Sequence, residues 1–241
     1  MAPLIRVEGT WPGPVTVTAG WFRARARPWN ETVPEPMVRL DRGGAEFLTA
    51  VTRRLEEMGP ERVYSPALYP DSTNVWRRSG FQPDAELAIM ERSLSTGPEN
   101  EPTHAVTSVK SPRWEEVVHL DATAFEGFWK MSTLGLSEAY ETNRSTTLLT
   151  TRVEDELAGY AIVGTQWGVT YLHRIAVHPD HGGKGLGSSL MSASIAWGRA
   201  HGGRTMVLNV RSVNDRAQRL YERCGFTHTG TKLLVLRHEA G

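Results

Sequence analysis

Residues 178–190 read HPDHGGKGLGSSL, and Gly182, Gly183, Gly185 and Gly187 fall within six consecutive positions. The run before them, VTYLHRIAV, has strand character. The run after them, SSLMSASIAWGRA, has helix character, with Leu186, Leu190, Ala193 and Trp197 at helical spacing. Glycine is placed where the backbone must take φ > 0 or approach a neighbour more closely than a β-carbon permits. A helix start adds unpaired N–H groups and a partial positive charge. Strand, glycine loop and helix therefore predict a parallel crossover unit whose loop cradles phosphate. One or two glycines suffice for a plain tight turn, so four favour a ligand.

Two familiar phosphate loops are excluded by spacing. Gly185-Leu186-Gly187-Ser188-Ser189-Leu190 lacks the third glycine of a dinucleotide fingerprint. A Walker loop needs Ser or Thr after Gly-Lys, and Gly183-Lys184 is followed by Gly185.

The segment SLSTGPENEPTH, residues 93–104, is small, acidic and proline-containing and reads as a linker. It sets expected domains at 1–95 and 104–241, with 96–103 between them. In the second part PRWEEVVHLDATAF and FWKMSTLGLSEAYETN read as helices. TTLLTTRVE, ELAGYAIVGTQWG and VTYLHRIAVHP read as strands, and the loop and its helix follow. TMVLNV is the next strand, NDRAQRLYERCGF a helix capped by Asn214, and TKLLVLRHE a closing strand. The fold class is α/β, with a mixed (α+β) sheet.

The first part repeats the end of this order. DSTNVWRRSGFQPDAELAIMERSL parallels DRAQRLYERCGFTHTGTKLLVLRHE, with Trp76 on Tyr221 and Ser79-Gly80-Phe81 on Cys224-Gly225-Phe226. The expectation is two tandem copies, the first truncated. Val38, Leu40 and Arg42 are expected at the positions of Gly183, Gly185 and Gly187, which removes the cradle.

Composition narrows the function. Formal net charge is zero, so no long-range field draws nucleic acid or an acidic membrane. Cys224 is the one cysteine, which excludes an internal disulfide framework and fits a reducing, cytoplasmic setting. MAPLIRVEGTWPG lacks the apolar core of a signal peptide, and no apolar run approaches the roughly 20 residues of a membrane span.

RIAVHPDHGGKGLGSSLM followed by LNVRSVNDRAQRLYERCGF resembles the GNAT superfamily of acyl-CoA-dependent N-acyltransferases. The likeness runs from Tyr171 to Phe226, and the elements before it fit the same order, so it covers most of 104–241. It implies a GNAT fold in two tandem copies, with the first degenerate, and acetyl-CoA as cosubstrate. The pantetheine arm would pair with Ile175, Ala176 and Val177, between strands that splay near Leu208–Val210. The pyrophosphate would meet the amides of Gly183, Lys184, Gly185, Leu186, Gly187 and Ser188, and Asn214 and Ala217 would flank the arm. The family's loop begins with Arg or Gln, where this chain has Gly182, and that departure implies looser cofactor binding.

The chemistry needs a route for a proton. An alkylammonium of pKa near 10.4 is neutral in only about one molecule in a few thousand at pH 7, equivalent to about 4–5 kcal/mol. Tyr221, in the N-x-x-A-x-x-L-Y pattern, is the candidate acid for the departing thiolate; as a packed aromatic it would do only what Trp76 does. His173 is the candidate base. The alternation of YLHRIAV puts it on the side of Ile175 and Val177, and the strand resembles that of the arylalkylamine N-acetyltransferases. A hydrogen-bonded sheet histidine is the other reading, with Glu126, Glu138 or Glu141 acting instead. The N–H of Val177 is the candidate oxyanion donor. His178 and His181 lack companion ligands and are read as solvent-facing, so no metal is expected. Cys224 is read as a small buried residue.

The resemblance thus implies direct transfer of an acetyl group to a primary amine in a ternary complex, without an acyl-enzyme. Alternatives are a non-catalytic acyl-CoA-binding regulatory module, or transfer to a protein N-terminus or lysine. Expected partners are a small-molecule or protein amine, not nucleic acid or membrane; a homodimer stays open.

Overall fold

In Phe22–Pro28 arginine alternates with alanine, and the period of two gives a strand with one dry face. Ala24 and Ala26 are buried, while Arg23 and Arg25 face solvent. The computed structural model, which describes residues 5–95 and 101–240, divides into two compact units, Met1–Leu87 with Lys232–Gly241 and Ala88–Thr231. Residues 96–100 of the expected linker lie outside the described residues.

The first unit carries β1 (Arg6–Glu8), β2 (Val15–Ala19), β3 (Phe22–Pro28) and β4 (Pro36–Arg42), paired antiparallel in that order. The helix α1 (Ala45–Glu56) then crosses to β5 (Arg62–Tyr64), which is parallel to β4. Phe47, Leu48, Val51 and Leu55 on one face of α1 close over Val15, Val17, Ala24, Ala26 and Val38. Each fully buried aliphatic contributes about 1.5–3 kcal/mol. The short helix α2 (Asn74–Arg78) leads into β6 (Gln82–Ser93).

The second unit holds β7 (Thr107–Val109), α3 (Trp114–Ala124), α4 (Thr133–Glu141), β8 (Ser145–Val153), β9 (Glu156–Gln166) and β10 (Val169–Val177). After them come α5 (Leu186–Ala200), β11 (Thr205–Arg211), α6 (Asp215–Arg223) and β12 (Thr227–Glu239). Strands β7 to β10 are antiparallel neighbours, and β11 is parallel to β10. Helix α5 covers one sheet face, burying Leu190, Met191 and Ile195 against Leu149, Ala161, Val163 and Leu208. Helices α3 and α4 cover the other, with Leu120 and Leu136 over Leu148, Tyr160 and Ile162. Covered on both sides, β9 is a continuous buried run rather than an alternating one.

Four antiparallel strands, a helix and a parallel strand thus recur in both units. The local match at the helix ends is close. Phe81 N–H reaches Trp76 O at 3.1 Å and Gly80 N–H reaches Arg77 O at 3.1 Å. Phe226 N–H reaches Tyr221 O at 3.0 Å and Gly225 N–H reaches Glu222 O at 2.9 Å. Both are Schellman ends with glycine at positive φ.

Three expectations change. The units do not divide at 96–103: residues 88–95 fall in the second unit, and the end of β12, whose Arg237–Glu239 pair antiparallel with β5, falls in the first. Val38, Leu40 and Arg42 are not loop residues but members of β4. The connection from β4 to α1 is Gly43–Gly44, two residues against the eight of 178–185, so the two connections differ in length rather than in glycine alone. The second expected helix, FWKMSTLGLSEAYETN, is shorter than expected and is α4 alone. It is capped by Ser132, whose Oγ accepts Gly135 N–H at 3.0 Å, and a 3₁₀ turn at Gly127–Trp129 comes before it.

One polar cluster ties α3 to the sheet. Asp121 is fully buried on the apolar face of α3, beside Val117 and Leu120. Its carboxylate accepts Arg174 Nε at 2.7 Å and Nη2 at 2.9 Å, Tyr160 Oη at 2.5 Å and Met131 N–H at 2.7 Å. Arg174 also donates to Trp129 O at 2.6 Å and lies 3.5 Å from the Phe125 ring centroid. Removing one partner of such a pair leaves a buried charge uncompensated. Asp121→Ala is expected to cost about 3–5 kcal/mol in urea unfolding, against less than 1 kcal/mol for Glu116→Ala, which breaks the surface pairs with Arg113 and Arg152.

Candidate active site

The glycine loop joins β10 to α5. Gly183 and Gly185 have φ of +80° and +91°, and Gly185 is the N-cap of α5, with no side-chain hydrogen bond capping the helix. An L-residue would be strained at either position. The other two glycines make room for side chains. A β-carbon on Gly187 would stand 3.3 Å from Leu220 Cδ2, and one on Gly182 would stand 2.5 Å from Arg216 Nη2. Only part of the glycine content is therefore explained by open backbone.

Among the described residues, no protein acceptor takes the N–H groups of Gly183 to Ser188; the first N–H bonded back is that of Ser189, to Gly185 O at 3.0 Å. Six donors at a helix start, with open space at Gly183, are the groups that an anion needs from a backbone. The carbonyl side of the loop is held from behind. His104 Nε2 meets Lys184 O at 2.7 Å, and the N–H groups of Thr103 and His104 both reach Ser189 Oγ at 3.1 Å. Thr103, read from sequence as the last linker residue, is thus part of the loop's support.

Strands β10 and β11 pair from Val169↔Thr205 to Leu172↔Leu208 and no further. Ile175, Ala176 and Val177 remain paired on their other edge, with Ala161, Tyr160 and Gly159 of β9. His178 N–H donates to Ala158 O at 2.8 Å on that edge. Because successive N–H groups alternate, the N–H of Val177 points to the edge that β11 has left.

The loss of pairing coincides with a bulge. The register with β9 shifts between Leu172 and Arg174, so His173 is the extra residue. Simple alternation, which put His173 beside Ile175 and Val177, fails here. Ile175 and Val177 pack on the α5 side. His173 turns with Arg174 to the α3–α4 side, where its Nε2 meets Asn143 Oδ1. Asn143 sits tightly over Gly164, where a β-carbon would come within 2.2 Å of its Oδ1. Burial pulls the His173 imidazole down to about 4.

Tyr221 lies on the buried face of α6. Burial pushes its phenol up to about 12, while the Arg174 charge pulls the other way. Among the described residues its hydroxyl has no hydrogen-bond partner. Asn214 caps α6, its Oδ1 accepting Ala217 N–H at 3.1 Å, which leaves its amide N–H groups to offer. Cys224 is buried, and burial raises its thiol. His178 and His181 are half-buried with ring centroids 5.8 Å apart, not fully solvent-facing. The cluster at Asp121 and Arg174 went unread in the sequence. Its signal was an acidic residue at a buried position of an amphipathic helix, and its arginine next to the candidate histidine. Trp129, held through its carbonyl by Arg174, also has Arg211 Cζ 4.7 Å from its ring, which ties the segment before α4 to the end of β11.

Residues 114–226 match the model of the acetyltransferase (GNAT) family. Over 60 residues the chain is 42% identical to L-amino acid N-acyltransferase MnaT of Escherichia coli, covering 25% of this chain and 35% of that protein. Over 205 residues it is 28% identical to mycothiol acetyltransferase of Geodermatophilus obscurus, covering 74% of this chain and 65% of that one. The chain therefore spans between about a third and two thirds of these curated relatives. In fold it is similar to a tandem GNAT protein from the clavulanic acid biosynthesis pathway, with a TM-score of 0.65 at 15% identity, covering 100% of this chain and 85% of that one. No described helix is long and apolar enough to cross a membrane.

The His173 environment has a consequence for stability. Its folded pKa of about 4 lies below the ordinary 6.5, so between those values the unfolded chain binds a proton that the folded chain does not. The stabilisation is complete above pH 6.5 and is lost as pH falls toward 4, by about 3 kcal/mol. Urea unfolding across this range should show His173→Gln with a flatter pH dependence than the parent; equal slopes would mean that His173 is not held neutral.

Proposed function

From the match of residues 114–226 to the acetyltransferase (GNAT) family model, we propose that the chain is an N-acetyltransferase using acetyl-CoA and a small primary amine. The observation that carries this is the row of six unpartnered N–H groups from Gly183 to Ser188, beside a strand edge that β11 has left. The open loop fits a pyrophosphate, and the free edge of Ile175–Val177 fits an amide-bearing arm. When bound, acetyl-CoA would supply an acetyl group activated as a thioester.

The residues have separate tasks in this reading. Val177 N–H donates to oxygen as negative charge develops there. Tyr221 keeps its proton at neutral pH and offers it to sulfur as the thiolate departs. Asn214 offers its amide N–H groups to the arm, and Ala217 leaves room for it. His173 is a poor proton acceptor. Taking a proton from an alkylammonium of pKa 10.4 onto an imidazole at about 4 would cost about 9 kcal/mol. We assign it to holding Asn143 and the end of α4, with the amine losing its proton to water before attack. The relatives named for amino-acid and mycothiol chemistry support a small acceptor over a protein one.

The first unit is read as a reduced copy of the same fold, on the shared strand order and the paired Schellman ends at Phe81 and Phe226. Between β1 and β2 it has six residues, where the second unit has α3 and α4 between β7 and β8. It would serve structure rather than transfer. The lone, buried Cys224 fits a cytoplasmic setting.

The test is to incubate the protein with acetyl-CoA and a panel of amino acids and small amines while following thiol release. Turnover with at least one amine is expected. Binding of acetyl-CoA with no turnover across the panel, and acetylation of protein substrates only, would each overturn the small-amine reading. Tyr221→Phe should lower kcat about 10- to 100-fold with little change in acetyl-CoA affinity. His173→Gln should keep the acidic limb of the pH–rate profile, because that limb belongs to the amine; its disappearance would restore His173 as the base.

A further inference from the structure

Gly182 stands where the resemblance calls for Arg or Gln, and the space beside it is already filled. A β-carbon at 182 would lie 2.5 Å from Arg216 Nη2 and 3.3 Å from its Cζ. Arg216 comes from the second residue of α6, across the splay from the loop. Its side chain is exposed, and among the described residues it has no carboxylate partner. The cation therefore lies beside the first glycine of the loop with no carboxylate paired to it. A side chain at 182 would push the guanidinium of Arg216 out of this position, and its β-carbon would also stand 3.0 Å from Pro179 O.

We infer that Arg216 supplies from α6 the cation that the loop lacks at Gly182, as a binding residue for the pyrophosphate of the acyl carrier. This rests on the acetyl-CoA reading above. A guanidinium offers N–H pairs in a plane that matches two phosphate oxygens, and against a doubly charged anhydride it adds to backbone donors that carry only partial charge. The arrangement also couples the two halves of the site. Arg216 lies two residues after Asn214 and five before Tyr221, so a pyrophosphate gripped by both loop and α6 would fix the helix that presents the phenol. The expected loosening of cofactor binding by Gly182 is thereby offset.

Titration of purified full-length protein with acetyl-CoA and with S-acetylpantetheine, which has the thioester and arm but no pyrophosphate, tests this. Arg216→Ala and Arg216→Gln should each weaken acetyl-CoA about 10- to 100-fold and leave S-acetylpantetheine unchanged. Added salt should weaken acetyl-CoA binding to the parent more than to either variant. Gly182→Arg introduced into Arg216→Ala should recover affinity, since the 2.5 Å clash with Arg216 is then gone and only the 3.0 Å approach to Pro179 O has to relax. Unchanged acetyl-CoA affinity in both single variants, equal weakening of both ligands, or no recovery in the double variant would overturn the exchange. A parent protein that binds neither ligand would instead overturn the cofactor reading itself.

Discussion

The carboxylate of Asp121 is the interaction on which the α3–α4 side of the second unit depends. It sits fully buried with four donors around it, from α3's partners on β9, on β10 and in the segment before α4. A buried anion is tolerated only when paired and hydrogen-bonded, and here the four donors come from three residues, Tyr160 on β9, Arg174 on β10 and Met131 before α4. Arg174 is drawn off the sheet to meet it, and through Trp129 O it fixes the segment that joins α3 to α4. If Asp121 moves, Arg174, Tyr160 and Met131 each lose a partner together.

The same arginine marks the bulge that shapes the site. With His173 as an extra residue, β10 bends at the point where its pairing with β11 ends, and a bulge both twists a strand and re-aims its side chains. One irregularity thus opens the strand edge at Ile175–Val177, turns His173 toward Asn143 and presents Arg174 to Asp121. The six open N–H groups of the glycine loop lie at the far end of the same strand, so a ligand spanning both would run along β10.

Much of this was legible in the chain. The strand–loop–helix of 169–200, the apolar stripes of α5 and α6, the Gly-Phe helix ends at 80–81 and 225–226 and the loop donors all follow from local rules of spacing and chemistry. What local rules missed is instructive. Alternation assumes an unbroken ladder, and a bulge at His173 breaks it. The match of Val38, Leu40 and Arg42 to loop glycines assumed loops of equal length, whereas Gly43–Gly44 joins β4 to α1 directly. Thr103 and His104 looked like linker because nothing in their own composition shows that Ser189 will accept their N–H groups.

By itself the sequence determined the element order, the glycine loop and its backbone donors, because turn chemistry, helical period and backbone donors are properties of neighbours along the chain. Only the tertiary structure decided which face His173 takes, that Asp121 rather than a surface glutamate anchors the site, and that Arg216 fills the space beside Gly182. Those outcomes depend on strand register and on burial between elements far apart in sequence. A one-residue slip in register reverses a side chain's direction, and no local pattern of residues carries that information.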